Sequence, residues 1–386
     1  MNKKFSLEEG NRTERKTSSS DASVYLPVSQ PNEFRPAAFL SDRHLMTIVP
    51  SLWPRRFPAS LDREKVEHLV DVSETARVKV VVNRPTPYSS SPSHRDVGLV
   101  LVHGLEGCAD SPYMKGVAGK ALARGFSVVR LNLRNCGGTE ALCDTLYNAG
   151  MSEDVTTVAS WARRQYGFKK LFLVGFSLGG NLVLKAAAEQ EAGGDQVERV
   201  DGVCAISPSI ELEKAVDRLE IGLNRIYQNT FLFSLRQKIK KKHSLFPQRF
   251  SLDILEKVKT VKDFDELYTA PDGGYRSARH YYEESSSLSR LNAIKIPGLI
   301  ISSLDDPIVP GEIFARREHF PDNMELITPE HGGHGGFLST MPRDGAVGVT
   351  NGKNDGSHDS APEVSQVRQD RFWAEERAVR FCLENI

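Results

Sequence analysis

At 386 residues, with 39% hydrophobic and 26% charged side chains, the chain has the composition of a globular protein able to bury a sizeable core. Lys plus Arg and Asp plus Glu both number 50, which excludes the one-signed field expected of a nucleic-acid binder. Five cysteines (Cys108, Cys136, Cys143, Cys204 and Cys382) lack CxxC spacing, which speaks against a zinc or redox motif and for a reducing compartment.

Residues 1–30 are polar and carry neither an apolar signal-peptide core nor helical periodicity, so they are expected to be disordered. No window approaches the roughly 18 apolar residues of a membrane span, and the expected location is the cytoplasm. The remaining chain, 31–386, reads as one domain. From Val97 onward, short apolar runs at Gly98–His103, Phe126–Asn132, Leu171–Gly175, Val200–Ser207 and Gly298–Ser303 predict buried strands. Helical spacing at Tyr113–Arg124, Asp154–Tyr166 and Leu178–Gln190 falls between them. This alternation predicts an α/β fold, a mostly parallel central sheet with helices on both faces. Residues 209–289 interrupt the rhythm with helical stretches at Glu211–Tyr227, Phe231–Lys242 and Ser251–Val258 and are expected to form a helical cap over the sheet's carboxyl edge. Residues 341–369, rich in Gly, Asp, Ser and Asn, read as a flexible insertion. Arg371–Leu383 closes the chain as an amphipathic helix packed on the sheet.

The strongest chemical signal is Gly175-Phe-Ser177-Leu-Gly179, a G-x-S-x-G set between an apolar strand and a helical run. A serine hydroxyl is a poor nucleophile. A sharp strand-to-helix turn exposes it to a base, and small flanking residues let the turn close. The matching acid and base follow in the order this turn demands. The strand Gly298–Ser303 ends in Asp305-Asp306-Pro-Ile-Val-Pro310, and the strand-like Met324–Thr328 leads to His331-Gly-Gly-His334-Gly-Gly. Asp306 is favoured over Asp305 as the acid, and His334, with glycine on both sides, over His331 as the base. After Gly98–His103, the turn His103-Gly-Leu105-Glu-Gly107 suits an oxyanion hole, with Leu105 and Leu178 as its backbone N–H donors. His103 reads as a structural turn residue, and Glu106 has no assigned role. A metal cluster of His103, His331, His334 and the aspartates is disfavoured, because there is no His-Glu-x-x-His helix and the triad accounts for the same residues.

Several segments together resemble the YheT-type hydrolases, relatives of the embryogenesis-associated proteins and the α/β-hydrolase-domain lipases. They are His44-Leu-Met-Thr47, His103-Gly-Leu-Glu-Gly107, Ser111-Pro-Tyr-Met114, Asn132-Leu-Arg-Asn-Cys-Gly137, Gly175-Phe-Ser-Leu-Gly-Gly-Asn181, Phe264-Asp-Glu-Leu-Tyr-Thr-Ala-Pro271 and His331-Gly-Gly-His-Gly-Gly-Phe337. The resemblance implies the α/β-hydrolase fold and an esterase or lipase that needs no cofactor. It puts the triad on Ser177, the Asp-Asp-Pro acid and His334. The chain departs from the branch at Asn135, where glycine is usual, and at Asn148-Ala149-Gly150, which replaces His-Ser-Gly.

The expected function is therefore a serine hydrolase cleaving carboxylic esters, with a lipid or other hydrophobic acyl ester as substrate. Tyr227, Phe231, Phe233, Leu235 and Phe246 offer apolar surface for the acyl chain. An acyltransferase using the same acyl-enzyme and a non-catalytic ligand-binding protein are the alternatives. Lys238, Lys240, Lys241 and Lys242 are read first as a solvated helix end and second as a weak contact with an anionic membrane surface.

Overall fold

In the computed structural model, which describes residues 34–85, 94–190, 199–340 and 371–386, eight strands form a single sheet. The expected disordered segment at 1–30 and the insertion at 341–369 lie outside the described residues. The strands are β1 (Val66–Ser73), β2 (Ala76–Asn83), β3 (Val97–Val102), β4 (Ser127–Asn132), β5 (Lys170–Phe176), β6 (Gly202–Ile206), β7 (Gly298–Ile301) and β8 (Met324–Ile327). Across the sheet they lie as β1, β2, β4, β3, β5, β6, β7, β8. From β4 to β8 all pairings are parallel, while β1 and β2 run antiparallel at one edge.

Strands β3 to β6 are buried almost throughout because helices cover both faces. Alternate residues of β3 enter opposite cores, Val100 and Val102 on one face and Leu99 and Leu101 on the other. Of the helices preceding β6, α1 (Arg43–Leu52), α2 (Ser60–Arg63) and α3 (Pro112–Ala123) pack with the second core, into which Met46, Leu61, Met114 and Val117 project. Helices α4 (Ser152–Tyr166) and α5 (Leu178–Glu189) fill the first through Val155, Val158 and Leu182. Helix α1 starts on Asp42, whose carboxylate accepts from the His44 and Leu45 N–H groups, 2.9 Å each.

Between β6 and β7 the chain forms no strand. It runs through α6 (Leu212–Leu219), α7 (Arg225–Leu245), α8 (Val261–Phe264), a π-helical turn at Asp265–Thr269, α9 (Ala270–Asp272) and α10 (Ala278–Ser285). Helix α11 (Trp373–Glu384) completes the second core with Val379 and Phe381. No helix among the described residues is long and apolar enough to cross a membrane.

Three expectations need correction. The hairpin β1–β2 lies ahead of the expected strands, which begin at Gly98; β1 is an edge strand that buries only Val70 fully and so lacks a continuous apolar run. The expected stretch Glu211–Tyr227 is divided, with α6 ending at Leu219, while the chain runs without a break past Tyr227 and Phe231 in the 21-residue α7, and Ser251–Val258 holds only a 3₁₀ turn at Leu255–Lys257. The four lysines of α7 do not form one surface. Lys242 is fully buried and donates to the Glu140 and Cys143 carbonyls, and Lys238 is turned into the protein, leaving Lys240 and Lys241 exposed.

The C-terminal helix is fastened by a buried charge cluster. Glu375 of α11 accepts two parallel bonds from Arg55, at 2.6 and 2.7 Å, and a third from Lys120 of α3 at 2.8 Å. Gly116 completes the fit, since a Cβ there would lie 2.2 Å from both Arg55 Nη2 and Glu375 Oε2. Breaking a buried pair from one side costs about 3–5 kcal/mol, because the remaining charge stays desolvated. Glu375→Ala is therefore expected to lower stability by about that amount in urea unfolding, and a loss below about 1 kcal/mol would mean that water or other groups already solvate the two cations.

Candidate active site

Strand β5 delivers Ser177 at its carboxyl end, in the centre of the sheet. The residue sits at φ 52°, ψ −118°, a conformation that non-glycine residues adopt only when their surroundings impose it. Those surroundings are close backbone contacts. An added Cβ at Gly175 would meet the Gly179 carbonyl at 2.2 Å, and one at Gly179 would lie 2.4 Å from the carbonyl oxygens of both Val102 and His103. Only glycine lets α5 begin this close to β3 and β5. The Ser177 N–H donates to the Ile206 carbonyl at 2.9 Å, so β6 steadies the turn.

His334 follows β8, and its Nε2 lies 2.9 Å from Ser177 Oγ. Its Nδ1 lies 2.8 Å from Asp306 Oδ2. A carboxylate can only accept, so Nδ1 carries the proton and Nε2 turns its lone pair to the hydroxyl. The Asp306 side chain is wholly buried, and its second oxygen accepts from the Ile308 and Val309 N–H groups at 2.8 Å each. Asp305 is engaged elsewhere: one oxygen accepts from the Gly333 N–H at 3.0 Å and the other lies 3.3 Å from His331 Nδ1. The two aspartates thus divide between His334 itself and the loop that carries it.

That loop is held by three residues to which the sequence reading gave no role. Thr47 Oγ1 accepts the His334 N–H at 2.9 Å, Ser207 Oγ accepts the Gly335 N–H at 2.9 Å, and the Ser303 hydroxyl donates to the Gly333 carbonyl at 2.8 Å. Thr47 stands in the His-Leu-x-Thr segment, the one sequence signal for it. Its partner in that segment, His44, lies 3.0 Å from the Tyr227 hydroxyl.

The turn after β3 lies beside the serine. Leu105, Ser177 and Leu178 line the same pocket, and neither the Leu105 nor the Leu178 N–H has a hydrogen-bond partner among the described residues. His103 is fully buried. Its Nδ1 lies 2.7 Å from the Gly104 carbonyl oxygen, and its Nε2 accepts from the Leu133 N–H at 3.1 Å, so the ring is neutral with its proton on Nδ1. Burial pushes its pKa down to about 4, against a weaker opposing effect of the Gly104 carbonyl. Because the Gly104 oxygen is also held by the Gly107 N–H at 3.0 Å, the peptide plane that carries the Leu105 N–H is fixed from its opposite edge.

The pocket above Ser177 is walled mainly by apolar residues of the inserted helices, among them Leu212, Leu219, Phe231, Leu235 and Phe264. Of the aromatic and aliphatic residues expected to receive an acyl chain, Phe231 and Leu235 do line it. Phe233 is instead exposed, Tyr227 pairs with His44, and Phe246 packs beneath Lys242. Besides the tyrosines Tyr147, Tyr281 and Tyr282, the ionisable groups Lys238 and Asp265 also reach the wall. Burial raises the Asp265 pKa to about 6 despite hydrogen bonds from Thr269 and Tyr282. Among the described residues, no three His, Cys, Asp or Glu side chains converge as a metal-binding set.

Comparison with known proteins agrees with this architecture. Residues 98–339 match the family described as the alpha/beta hydrolase fold. The YheT protein of Escherichia coli K12 is 30% identical over 79% of this chain and 87% of its own length. A monoacylglycerol lipase of Saccharomyces cerevisiae is 26% identical over 62% of the chain and 54% of its own length. The embryogenesis-associated protein EMB8 of Picea glauca is 25% identical over 79% and 67% respectively. A family match across most of the chain, joined to this identity with the bacterial protein over nearly its full length, establishes that the chain belongs to the α/β-hydrolase family, in the branch of YheT.

Proposed function

We propose that this protein is a carboxylic-ester hydrolase that acts on esters with hydrophobic acyl groups, using Ser177 as nucleophile, His334 as general base and acid, and Asp306 to orient and charge-balance His334. The observation that carries the reading is the continuous chain from Ser177 Oγ to His334 Nε2 at 2.9 Å and from His334 Nδ1 to Asp306 at 2.8 Å, at the mouth of an apolar pocket. Ser177 Oγ attacks the ester carbonyl carbon while its proton passes to His334 Nε2. The carbonyl oxygen becomes an oxyanion that the Leu105 and Leu178 N–H groups receive. Collapse expels the alcohol, which takes the proton from His334 and leaves an acyl-serine. A water molecule then attacks this ester, again losing a proton to His334, and the second collapse releases the carboxylic acid and restores Ser177. Lipid esters suit the pocket because its wall is mainly apolar. The yeast relative named as a monoacylglycerol lipase supports the same substrate class.

Ser177→Ala is expected to abolish p-nitrophenyl ester turnover and labelling by a fluorophosphonate probe, with a loss of roughly 10⁴–10⁶ in kcat and no loss of folded protein. Labelling that survives the change would place the nucleophile elsewhere. In the same assay Asp306→Asn should reduce kcat far more than Asp305→Asn, and the reverse order would assign the acid to Asp305. Across a panel of p-nitrophenyl esters of increasing acyl length, kcat/KM should climb until the pocket is filled, by at most about fourfold per methylene given about 0.8 kcal/mol for each buried CH₂. A profile that falls steadily from acetate onward would rule out a hydrophobic acyl site.

A further inference from the structure

Beside the turn that carries Leu105 lies a buried polar cluster that the proposed reaction does not use. Glu106, the residue after Leu105, has φ 57° and is mostly buried. Its N–H donates to the Tyr147 hydroxyl at 2.8 Å, and that hydroxyl donates back to Glu106 Oε1 at 2.8 Å, so backbone and carboxylate of one residue close a ring through a tyrosine. Lys238, reaching in from α7, lies with its Nζ 3.3 Å from the same carboxylate oxygen. It also donates to the Asn135 carbonyl at 2.6 Å, lies 3.5 Å from Cys136 Sγ, and sits 5.1 Å from the centre of the Tyr147 ring. An ammonium has three protons, and here all three have a partner. Asn135 is itself at φ 60°, in the turn after β4. One cation from the inserted helix therefore ties together two left-handed turns, one of which carries Leu105.

A buried ion pair contributes little to stability once its desolvation is counted, so its presence is better explained by the geometry it enforces. The geometry at issue is specific. The Leu105 N–H is flanked by two peptide planes. His103 and Gly107 hold the first through the Gly104 oxygen. Among the described residues, the second, which joins Leu105 to Glu106, is held only through the Glu106 N–H and Tyr147. We propose that Lys238, Glu106 and Tyr147 are positioning residues that aim the Leu105 N–H at the reacting carbonyl oxygen and make that aim depend on the seating of α7. The inference rests on the reading of Leu105 as an oxyanion donor and of Ser177 as the nucleophile.

Tyr147→Phe removes the bridging hydroxyl while keeping the ring under Lys238, and Lys238→Met removes the cation while keeping most of its apolar stem. Each variant is expected to lower kcat by about ten- to a hundredfold on a p-nitrophenyl ester, the range for a misaimed rather than a deleted donor, with KM within about twofold. The second-order rate of phosphonylation by a fluorophosphonate should fall in parallel, since that tetrahedral adduct needs the same donor. The double variant should lose little more than Lys238→Met alone, because the two act in series. If Lys238→Met fails to fold, Tyr147→Phe decides the question by itself. Unchanged kcat in a folded Tyr147→Phe protein overturns the proposal, and so does a raised KM with kcat retained, which would make these residues pocket walls. Ser177→Ala serves as the control arm: if it remains active, the nucleophile assignment is what has failed, whereas an inactive Ser177→Ala beside a fully active Tyr147→Phe defeats the positioning role alone.

Discussion

Two backbone turns approach one another so closely that no side chain fits between them, and the rest of the site is arranged around that contact. Strands β3 and β5 are parallel neighbours with Val102 opposite Gly175, so the chain leaves both strands at the same level of the sheet. Gly179 then packs against the Val102 and His103 carbonyls at a distance only a hydrogen can occupy. This contact brings the Ser177 hydroxyl, the Leu178 N–H and the turn of Leu105 together before any side-chain interaction is considered. The strain at Ser177 is sustained because its N–H and C=O are both engaged, with Ile206 on one side and Asn181 on the other.

His334 reaches this point by a different route. A loop with as many glycines as His331-Gly-Gly-His-Gly-Gly has little conformational preference of its own, so the ring of His334 has to be placed by partners outside the loop. Those four partners come from three separate parts of the chain: Thr47 on α1, Ser207 after β6, and Ser303 and Asp305 after β7. Each bonds a backbone group rather than the imidazole, which leaves both ring nitrogens for Asp306 and Ser177. The adjacent aspartates follow from the same division, since one carboxylate secures the loop and the next meets the ring.

Much of this is legible in the sequence, and the parts that are not have separate physical causes. The strands β3 to β8 announce themselves as apolar runs because both faces of a parallel sheet are covered. The Gly-x-Ser-x-Gly turn is equally visible, because its glycines are demanded by backbone packing that every such turn repeats. The hairpin β1–β2 escaped because an edge strand with one buried residue carries almost no apolar pattern. Lys238 and Lys242 depart from the solvated-face expectation because a lysine's letter does not reveal whether its ammonium meets water or carbonyl oxygens. On a helix crowded with cations, solvation is the default assumption. Asn135 shows the opposite case. Its replacement of the usual glycine looked like a departure, yet at φ 60° asparagine is among the few residues tolerated, and its amide donates to the Thr145 carbonyl at 2.6 Å.

Helix α7 joins two properties that are often treated as separable. Leu235 and Lys238 stand three residues apart, on one face of the helix, and both line the pocket over Ser177. The first presents apolar surface to the space an acyl chain would fill, and the second holds Glu106 beside Leu105. A rigid helix cannot shift one without moving the other. Widening the pocket by displacing α7 would draw Lys238 away from Glu106 and Asn135, whereas exchanging Leu235 or Phe231 for a smaller side chain would enlarge the same space with the helix left in place. If the pocket receives the acyl group as proposed, selectivity would therefore vary most freely through the size of individual wall residues. The backbone path of α7 is constrained by the charge it carries to the turn after β3.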